Sequence, residues 1–275
     1  MQEAIGFDKQ AKLSGACGKY SMQHALLVLG IPITQKDASK ATGVPPIAAM
    51  RFGTDRSELK RGLRYFGCDA VEYVFLDDSD KLRKKLDWLL ESGCPVILSV
   101  EGDDHWIVIA GKESENKYYW IDSADDDVIG YWSWKDIVDW IDNDEYYLMG
   151  VEPKNQSQLR HSLVRDWSKV YALLDDEDLC DYWGYYLEDL VEIFDSPIGA
   201  ADALTAKEFF DQFSKMIHDA SCYYYLYSDA DKMKWELGNY RKVATLHNLT
   251  VSRDKIPQAI ASLSAALTCI ACVED

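Results

Sequence analysis

The 275-residue sequence lacks several features that define common protein classes. It holds no GxxxxGK[ST] loop, which would cradle nucleotide phosphates, and no internal repeat or low-complexity segment. MQEAIGFDKQ carries an early acid and no apolar core, so it is not a secretory signal. The most apolar stretch, 256–273, is interrupted by polar residues and predicts a packed helix, not a membrane span. We expect a cytoplasmic chain without a membrane partner, or one delivered to another cell if it is an effector.

Positive charge is scarce. The chain has 29 Lys and Arg against 47 Asp and Glu, a net charge of -18. The acidity is spread over both halves, with a net of -10 in residues 1–153 and -8 in 154–275. A field of this sign repels nucleic acid and anionic lipid. We therefore predict no nucleic-acid partner.

The cysteines do not form a disulfide pattern. There are seven, an odd number, scattered along the chain without a signal peptide before them. Reduced thiols in a reducing compartment are the better interpretation. Cys269 and Cys272 form a single CxxC pair with no nearby histidine, which is a weak zinc signal and more typical of an apolar helix core. We predict no metal and no cofactor.

The first half predicts helices followed by an antiparallel sheet. Helix patterns cover 17–29, 35–42, 54–67, 79–93 and 133–142, and strand patterns cover 71–76, 95–100, 105–111, 117–122 and 145–151. Thr54 and Ser79 are the candidate N-caps of their helices. This order of elements indicates the α+β class.

A change of pattern marks the second half. The polar stretch EPKNQSQ, 152–158, predicts a linker between a domain at 1–152 and a domain at 159–275. Beyond it only the 3.6-residue spacing of helices remains, which predicts an all-α bundle of four or five helices. Its tyrosine-rich stretches, DYWGYYLED and SCYYYLYSD, suit core packing or a protein-binding face.

The stretch SGACGKYSMQHALLVLG places Cys17 at the start of a predicted helix. Unpaired N–H groups and the positive end of the helix dipole stabilise a thiolate there. Gly18 lets a substrate backbone approach closely. The pair suits a nucleophile, although a buried structural cysteine is the simpler alternative.

A thiolate nucleophile needs a base and a group that orients the base. His24 lies two helical turns from Cys17 and is too far along the axis to serve. His105 opens the strand HWIVIAG after the turn GDD, and Asp122 closes the next strand, YYWID. Because antiparallel neighbours bring such ends together, we predict that Asp122 orients His105. Taken singly, His105 also suits a surface turn, and Asp122 suits a cap.

Residues from about 10 to 150 resemble the bacteriocin-processing cysteine peptidases, the papain-like double-glycine leader peptidases and their C39-like relatives. The similar segments are Cys17-Gly18, GTDRSELKRGLRYFGCDA, GCPVILSVEGDDHWIVIAGKESENKYYWIDSA and YWSWKDIVDWI, in the family's order. The resemblance implies helices packed on an antiparallel sheet and a Cys17–His105–Asp122 triad. It also implies Gln10 as an oxyanion donor, although Gln10 lies seven residues before Cys17 where six is usual.

This resemblance implies a cysteine peptidase that cleaves a protein or leader peptide, with Gly18 and Trp106 contacting the substrate. A helical second domain would recruit the substrate or a partner. Other acyl chemistry on the same fold stays open, as in deamidases, transglutaminases or deubiquitinases, and so does a peptide-binding adaptor with an idle triad. A weaker signal is the Arg-x5-His form of HEPN ribonucleases between Arg241 and His247.

Overall fold

The computed structural model describes residues 6–7, 9–10, 15–76, 78–125, 127–141, 145–155, 159, 161–163, 166–174, 176–194, 202–224 and 230–272. The chain divides into two compact units, Met1–Gly184 and Tyr185–Asp275. The predicted linker at 152–158 thus falls inside the first unit, and 156–158 lie outside the described residues. A domain boundary at that position stays a prediction.

The first unit combines helices with one sheet. Its helices are α1 (Cys17–Val28), α2 (Gln35–Thr42), α3 (Pro46–Phe52), α4 (Arg56–Tyr65), α5 (Ser79–Glu91), α6 (Trp134–Ile141) and α7 (Trp167–Leu174). Its strands are β1 (Cys68–Leu76), β2 (Val96–Val100), β3 (His105–Ser114), β4 (Lys117–Ile121), β5 (Ile129–Trp132) and β6 (Glu145–Pro153). Helix α8 (Glu177–Phe194) crosses the division between the units.

The six strands form one sheet in the order β1-β6-β2-β3-β4-β5, with every neighbouring pair antiparallel. The α+β prediction is therefore confirmed in its coarse form. Strand β5 and helix α3 were not predicted. Both are short, and Gly130 in β5 and the Pro45-Pro46 pair at the start of α3 weaken the periodic signal.

One face of the sheet is covered by α5 and α6. Leucines at helical spacing on α5 meet alternate residues of β2 and β3. The buried members are Leu82, Leu86, Leu89, Leu90, Cys94, Val96, Leu98, Val100, Ile107, Ile109, Tyr118, Trp120, Ile137, Ile141 and Leu148. Each fully buried aliphatic side chain contributes about 1.5–3 kcal/mol, so this layer fixes the register of the two central strands.

Helix α1 lies against β3; α1 is almost wholly buried, and so are the first seven residues of β3. The hydroxyl of Ser21 donates to the backbone oxygen of Trp106 at 2.8 Å. His24 is fully buried, with its ring near those of Phe7 and Tyr20 at 6.0 and 6.3 Å. The contact between α1 and β3 sets the start of the helix near the start of the strand.

Two helix caps differ from the prediction by one residue. Asp55, not Thr54, caps α4: its carboxylate accepts from the backbone N–H of Glu58 at 2.8 Å, and Glu58 accepts from the N–H of Asp55. Asp78, not Ser79, caps α5. A carboxylate also adds a negative charge at the positive end of the helix dipole, which favours aspartate over a neighbouring hydroxyl.

The turn between β2 and β3 has an unusual backbone. Glu101, Gly102 and Asp103 have φ values of 54°, 65° and 75°, all in the left-handed region. The N–H groups of Glu101 and Gly102 donate to the carbonyl oxygens of Trp140 and Ile141 at 3.0 and 3.2 Å. This turn therefore satisfies backbone oxygens at the end of α6.

Helix α7 explains why the first unit continues past the predicted linker. The indole of Trp167 covers Gly111 of β3, where an added Cβ would lie 1.9 Å from Cδ1 of the indole. The same ring stacks on Tyr119 of β4 with centroids 6.0 Å apart. A segment that the sequence assigns to the second domain thus packs on the sheet.

The second unit is mainly helical. It contains the end of α8 together with α9 (Ala206–Tyr224), α10 (Ala230–Leu246) and α11 (Ile256–Cys272). Strands β7 (Ala203–Thr205) and β8 (Thr250–Ser252) pair antiparallel, so the all-α prediction is wrong in this detail. Each strand has three residues, too few for a period-two pattern to stand out.

Helix α11 coincides with the most apolar stretch of the sequence and packs on α9. Within the described ranges, no helix has the length and apolar character needed to cross a membrane. Cys269 is exposed on α11, so the interpretation of this cysteine as a core residue is wrong.

Candidate active site

Cys17 is the first residue of α1, as the sequence predicts. The preceding residue, Ala16, provides no side-chain cap, so no hydroxyl or carboxylate of that residue competes for the N–H groups of the first turn. The N–H of Gly15 donates to the carbonyl oxygen of Met50 at 3.3 Å, which ties the approach to the helix to α3. The thiol side chain is 6% exposed.

His105 and Asp122 are brought together by the pairing of β3 and β4. The register opposes Val108 to Ile121, so Asp122 follows β4 close to the start of β3. The carboxylate Oδ1 of Asp122 lies 2.8 Å from Nε2 of His105 and also accepts from the N–H of Ala124 at 2.8 Å. His105 is 8% exposed and Asp122 is 3% exposed. This hydrogen bond orients a buried imidazole with a buried carboxylate.

The thiol of Cys17 interacts with the same imidazole. Burial of the ring, taken alone, lowers the pKa of His105. Hydrogen bonds to Asp122 and to Cys17, and the charges of both partners, outweigh burial and raise the pKa of His105 from 6.5 to about 10. An imidazolium is therefore held beside the sulfur at neutral pH.

Helix α6 borders the imidazole from another side. The ring centroids of Trp140 and His105 are 6.4 Å apart, with the planes tilted by 55°. The β2–β3 turn that precedes His105 donates to the backbone of the same tryptophan. The ring is thus positioned by α6, by the turn and by β4 together.

Gln10 lies near Asp122 through its backbone. Its N–H donates to the carbonyl oxygen of Ser123 at 2.8 Å. Its side-chain Oε1 is buried and has no hydrogen-bond partner within the described part of the chain. Residues 11–14, which join Gln10 to the Cys17 segment, lie outside the described residues. A role for Gln10 in an oxyanion hole stays a prediction.

Gly18 packs closely against Thr54 and Trp106. A Cβ on Gly18 would lie 2.9 Å from Cβ of Thr54 and 3.3 Å from Cδ1 of Trp106. Close packing of α1 therefore requires this glycine, whatever the substrate does. The predicted substrate contact through Gly18 is not tested by this packing.

A cavity of about 690 Å³ opens beside Cys17. It is lined by Gly15, Cys17, Phe52, Gly53, Thr54, Asp55, Arg56, Ser57, Asp103, Asp104 and Trp106. The lining includes the predicted contact Trp106 but not Gly18. Three aspartates and one arginine give it a net negative charge, and the cavity is large enough to hold several residues of an extended peptide.

Sequence reasoning did not identify most of this lining. Asp103 is fixed by the hydroxyl of Ser99, which donates to its Oδ1 at 2.6 Å, and lies 3.7 Å from Arg56. Asp104 is exposed and directly precedes His105. The sequence shows both aspartates only as a turn, because their approach to residues 52–57 depends on tertiary packing.

Other thiols of the first unit differ from Cys17 in their surroundings. Burial raises the pKa of Cys68 to about 12 and the pKa of Cys94 to about 11. Neither residue lines the cavity. Both thiols are uncharged at neutral pH and serve the core.

The ribonuclease alternative is not supported. His247 is fully buried, and Arg241 pairs with Asp211 on the surface of α9. The two residues therefore do not present a shared exposed site in this chain. Elsewhere on α9, His218 contacts Cys222.

Histidine, cysteine and carboxylate side chains are common ligands of a bound metal ion. The described residues contain no cluster of three or more of these groups with suitable geometry.

Comparison with protein families gives no matching family, and comparison with curated proteins gives no match. Among solved structures, one is described as the crystal structure of a double glycine motif protease from an AMS/PCAT transporter in complex with the leader peptide. It is 16% identical and has a TM-score of 0.40, covering 55% of this chain and 94% of that chain. This likeness does not establish a family or a function for the chain.

Proposed function

We propose that the chain is a cysteine peptidase in which Cys17 is the nucleophile, His105 the general base and acid, and Asp122 the group that orients the imidazole. The observation that carries the proposal is the continuous contact Cys17–His105–Asp122, built from the start of α1, the start of β3 and the residue after β4. Three distant parts of the sequence converge on one thiol beside a cavity. A cysteine with a purely structural role would not need the imidazole of His105 or the carboxylate of Asp122.

The geometry supports acyl transfer. The proton of the Cys17–His105 pair lies on the imidazole as the sulfur attacks the carbonyl carbon of a peptide bond. Negative charge then develops on the carbonyl oxygen. The backbone N–H of Cys17, at the positive end of α1, is the first candidate donor to that oxygen, and the side-chain amide of Gln10 is the second. A single donor of this kind is worth about 3 kcal/mol of transition-state stabilisation.

Cleavage follows when the protonated His105 gives its proton to the leaving amine. Water, deprotonated by the neutral imidazole, then attacks the thioester and releases the acid with regeneration of the thiol. The carboxylate of Asp122 stabilises the imidazolium at both stages. The raised pKa of His105 suits the acid step, because the proton is held in place until the amine receives it.

The cavity suits a peptide that carries no negative charge near the cut. Its lining has three aspartates against one arginine, and the whole chain has a net charge of -18. Acidic peptides are repelled and basic ones are attracted. Phe52, which is 85% exposed at the rim, provides an apolar contact.

We assign the second unit to recruitment of the substrate or of a partner protein. Met216 and Trp235 are large apolar side chains exposed on that unit. Of the tyrosine-rich stretches, Trp183 and Tyr186 are buried, Tyr182 is exposed but belongs to the first unit, and the side chains of 223–229 lie outside the described residues. The support for recruitment therefore comes from the exposed side chains of Met216 and Trp235, not from the tyrosine-rich stretches.

The test uses the full chain and a library of peptides prepared from a whole proteome. Mass spectrometry would identify new termini after incubation with the wild type, Cys17→Ala, His105→Ala and the control Cys269→Ser, which removes an exposed thiol far from the triad in sequence. We expect new termini with the wild type and the control and none with the other two. A peptide vinyl sulfone should label Cys17 in the wild type and in Cys269→Ser only.

Other outcomes identify the alternatives. A mass gain of about 1 Da in intact peptides, dependent on Cys17, would indicate a deamidase, because amide-to-acid conversion leaves chain length unchanged. New termini that persist in Cys17→Ala would contradict the proposal. Vinyl sulfone labelling spread over several cysteines, with no product of any mass, would favour the peptide-binding adaptor.

A further inference from the structure

The second unit contains a cluster of soft ligand atoms that the proposed peptidase does not use. Cys222 and His218 lie one turn apart on α9, and Met233 lies on α10. The sulfur of Cys222 is 3.6 Å from Nε2 of His218, 3.9 Å from Nδ1 of the same ring, and 3.6 Å from the sulfur of Met233. The Cys222 thiol therefore contacts an imidazole of its own helix and a thioether of the next helix.

Further groups surround the imidazole. Nδ1 of His218 lies 3.6 Å from Oδ1 of Asp219, and Nε2 lies 3.4 Å from the backbone oxygen of Ala230. The other carboxylate oxygen of Asp219 accepts from Lys215 at 2.5 Å. A carboxylate beside the second ring nitrogen is the usual outer partner of a metal-bound histidine.

The spacing of the donor atoms suits a shared metal ion. Bonds of about 2.0 Å to nitrogen and 2.3 Å to sulfur, opened to about 120°, separate two ligand atoms by roughly 3.7–4.0 Å. The distances around Cys222 sulfur are close to this range. A small adjustment of side-chain torsions would turn the observed contacts into a three-coordinate site.

The position on the helix favours a cation. Cys222 lies in the last turn of α9, which ends at Tyr224 and has no basic residue in that turn. The negative end of the helix dipole disfavours an isolated thiolate there but stabilises a bound positive ion. This is the opposite of the arrangement at Cys17, which begins its helix.

We propose that Cys222, His218 and Met233 bind monovalent copper. Thiolate and thioether sulfur together select Cu(I) over harder ions, whereas zinc sites rarely include a thioether. Binding replaces the thiol proton: Cys–SH and Cu(I) give Cys–S–Cu(I) and one proton, with no change of oxidation state. Cys222 is half-buried and reachable by an incoming ion, and Met233 is 1% exposed and supplies a fixed ligand.

The experiment is an anaerobic titration of the reduced full chain with Cu(I) against a chromophoric Cu(I) chelator. Cys269→Ser is the parent protein, because it disrupts the separate CxxC pair. We expect one Cu(I) per chain in the parent. Adding Cys222→Ser should weaken binding at least 100-fold, and adding Met233→Leu, which preserves the apolar volume, should weaken it about tenfold.

X-ray absorption at the copper edge should show two sulfur ligands and one nitrogen ligand in the parent, and one sulfur fewer in the Met233→Leu protein. Circular dichroism of each variant checks folding. The proposal is wrong if the folded parent does not compete with the chelator, or if the Cys222→Ser variant binds as tightly as the parent. Stoichiometric Zn(II) binding with no Cu(I) binding would also contradict it.

Discussion

The thiols of Cys17 and Cys222 each lie beside an imidazole, one in each compact unit. Cys17 begins its helix, meets a histidine and an aspartate from two other elements, and lines a cavity. Cys222 ends its helix, and its histidine comes from the same helix. The two proposals assign different chemistry to a similar Cys–His contact. The helix end, the carboxylate and the nearby space separate a candidate nucleophile from a candidate metal ligand.

Removing the carboxylate is the strongest way to test the first half of this comparison. In Asp122→Asn the imidazole loses its anionic partner, and we expect kcat to fall by about 10²–10⁴ on a peptide substrate. The control is Asp125→Asn, an exposed carboxylate in the following turn. Steady-state kinetics on both proteins would check the prediction. Equal activity in the two variants would mean that Asp122 has no part in orienting His105.

The pH dependence of stability is the next effect in size. The pKa of His105 is raised from 6.5 to about 10, so its contribution to stability is fully present below pH 6.5 and is lost as pH rises through 10. Asp122→Asn should therefore lower the free energy of unfolding by about 2 kcal/mol at pH 6.5, and by less at pH 10. Urea unfolding at several pH values gives this difference. If the loss of unfolding free energy in Asp122→Asn grew with pH, His105 would not be stabilised in its protonated form by Asp122.

A smaller effect concerns substrate charge. Asp104 is exposed in the cavity lining beside His105. We expect Asp104→Asn to reduce the preference for Lys over Glu next to the cut by about three- to tenfold in kcat/KM, since one partly solvated charge contributes about 1 kcal/mol. Two peptides that differ only at that position would give the ratio. The same preference in Asp104→Asn would place the discriminating charge elsewhere.

Two glycines allow a last comparison, which concerns stability and not activity. Gly18→Ala should lower thermal stability by about 1–3 kcal/mol, because the new methyl meets Thr54 at 2.9 Å. Gly238→Ala on α10 has open space around the new atom and should stabilise by about 0.4–1 kcal/mol. Calorimetry of both variants measures the difference. Destabilisation of equal size in both would mean that crowding at Gly18 is relieved by local movement.

The sequence predicts the regular elements better than the site. Apolar strand-like runs separated by turn residues located β2, β3 and β4, and antiparallel pairing of β3 with β4 was enough to predict the contact of His105 with Asp122. The position of Cys17 beside them was inferred from the chemistry of a helix start and from the family resemblance, because no local spacing links residue 17 to residue 105. The packing of α1 on β3 makes that link.

The remaining features depend on packing between distant segments. The spacing of His218 and Cys222 is visible in the sequence, but Met233 joins them only because α10 folds back on α9. Likewise, the indole of Trp167 reaches β3 across a glycine, which no pattern in residues 159–174 reveals. Local periodicity identifies the apolar face of a helix, but it does not identify the element against which that face packs.

The left-handed turn before His105 limits which residue types can replace Glu101 and Asp103. For most L-residues that conformation costs about 1–2 kcal/mol, and glycine, asparagine and aspartate tolerate it best. Glu101 and Asp103 keep it while their turn closes the end of α6. Among natural variants, replacements at 101 should therefore be confined to a few residue types, with β-branched ones absent. A survey of such variants would show this restriction at position 101 as an effect of backbone conformation, independent of any chemistry at the thiol.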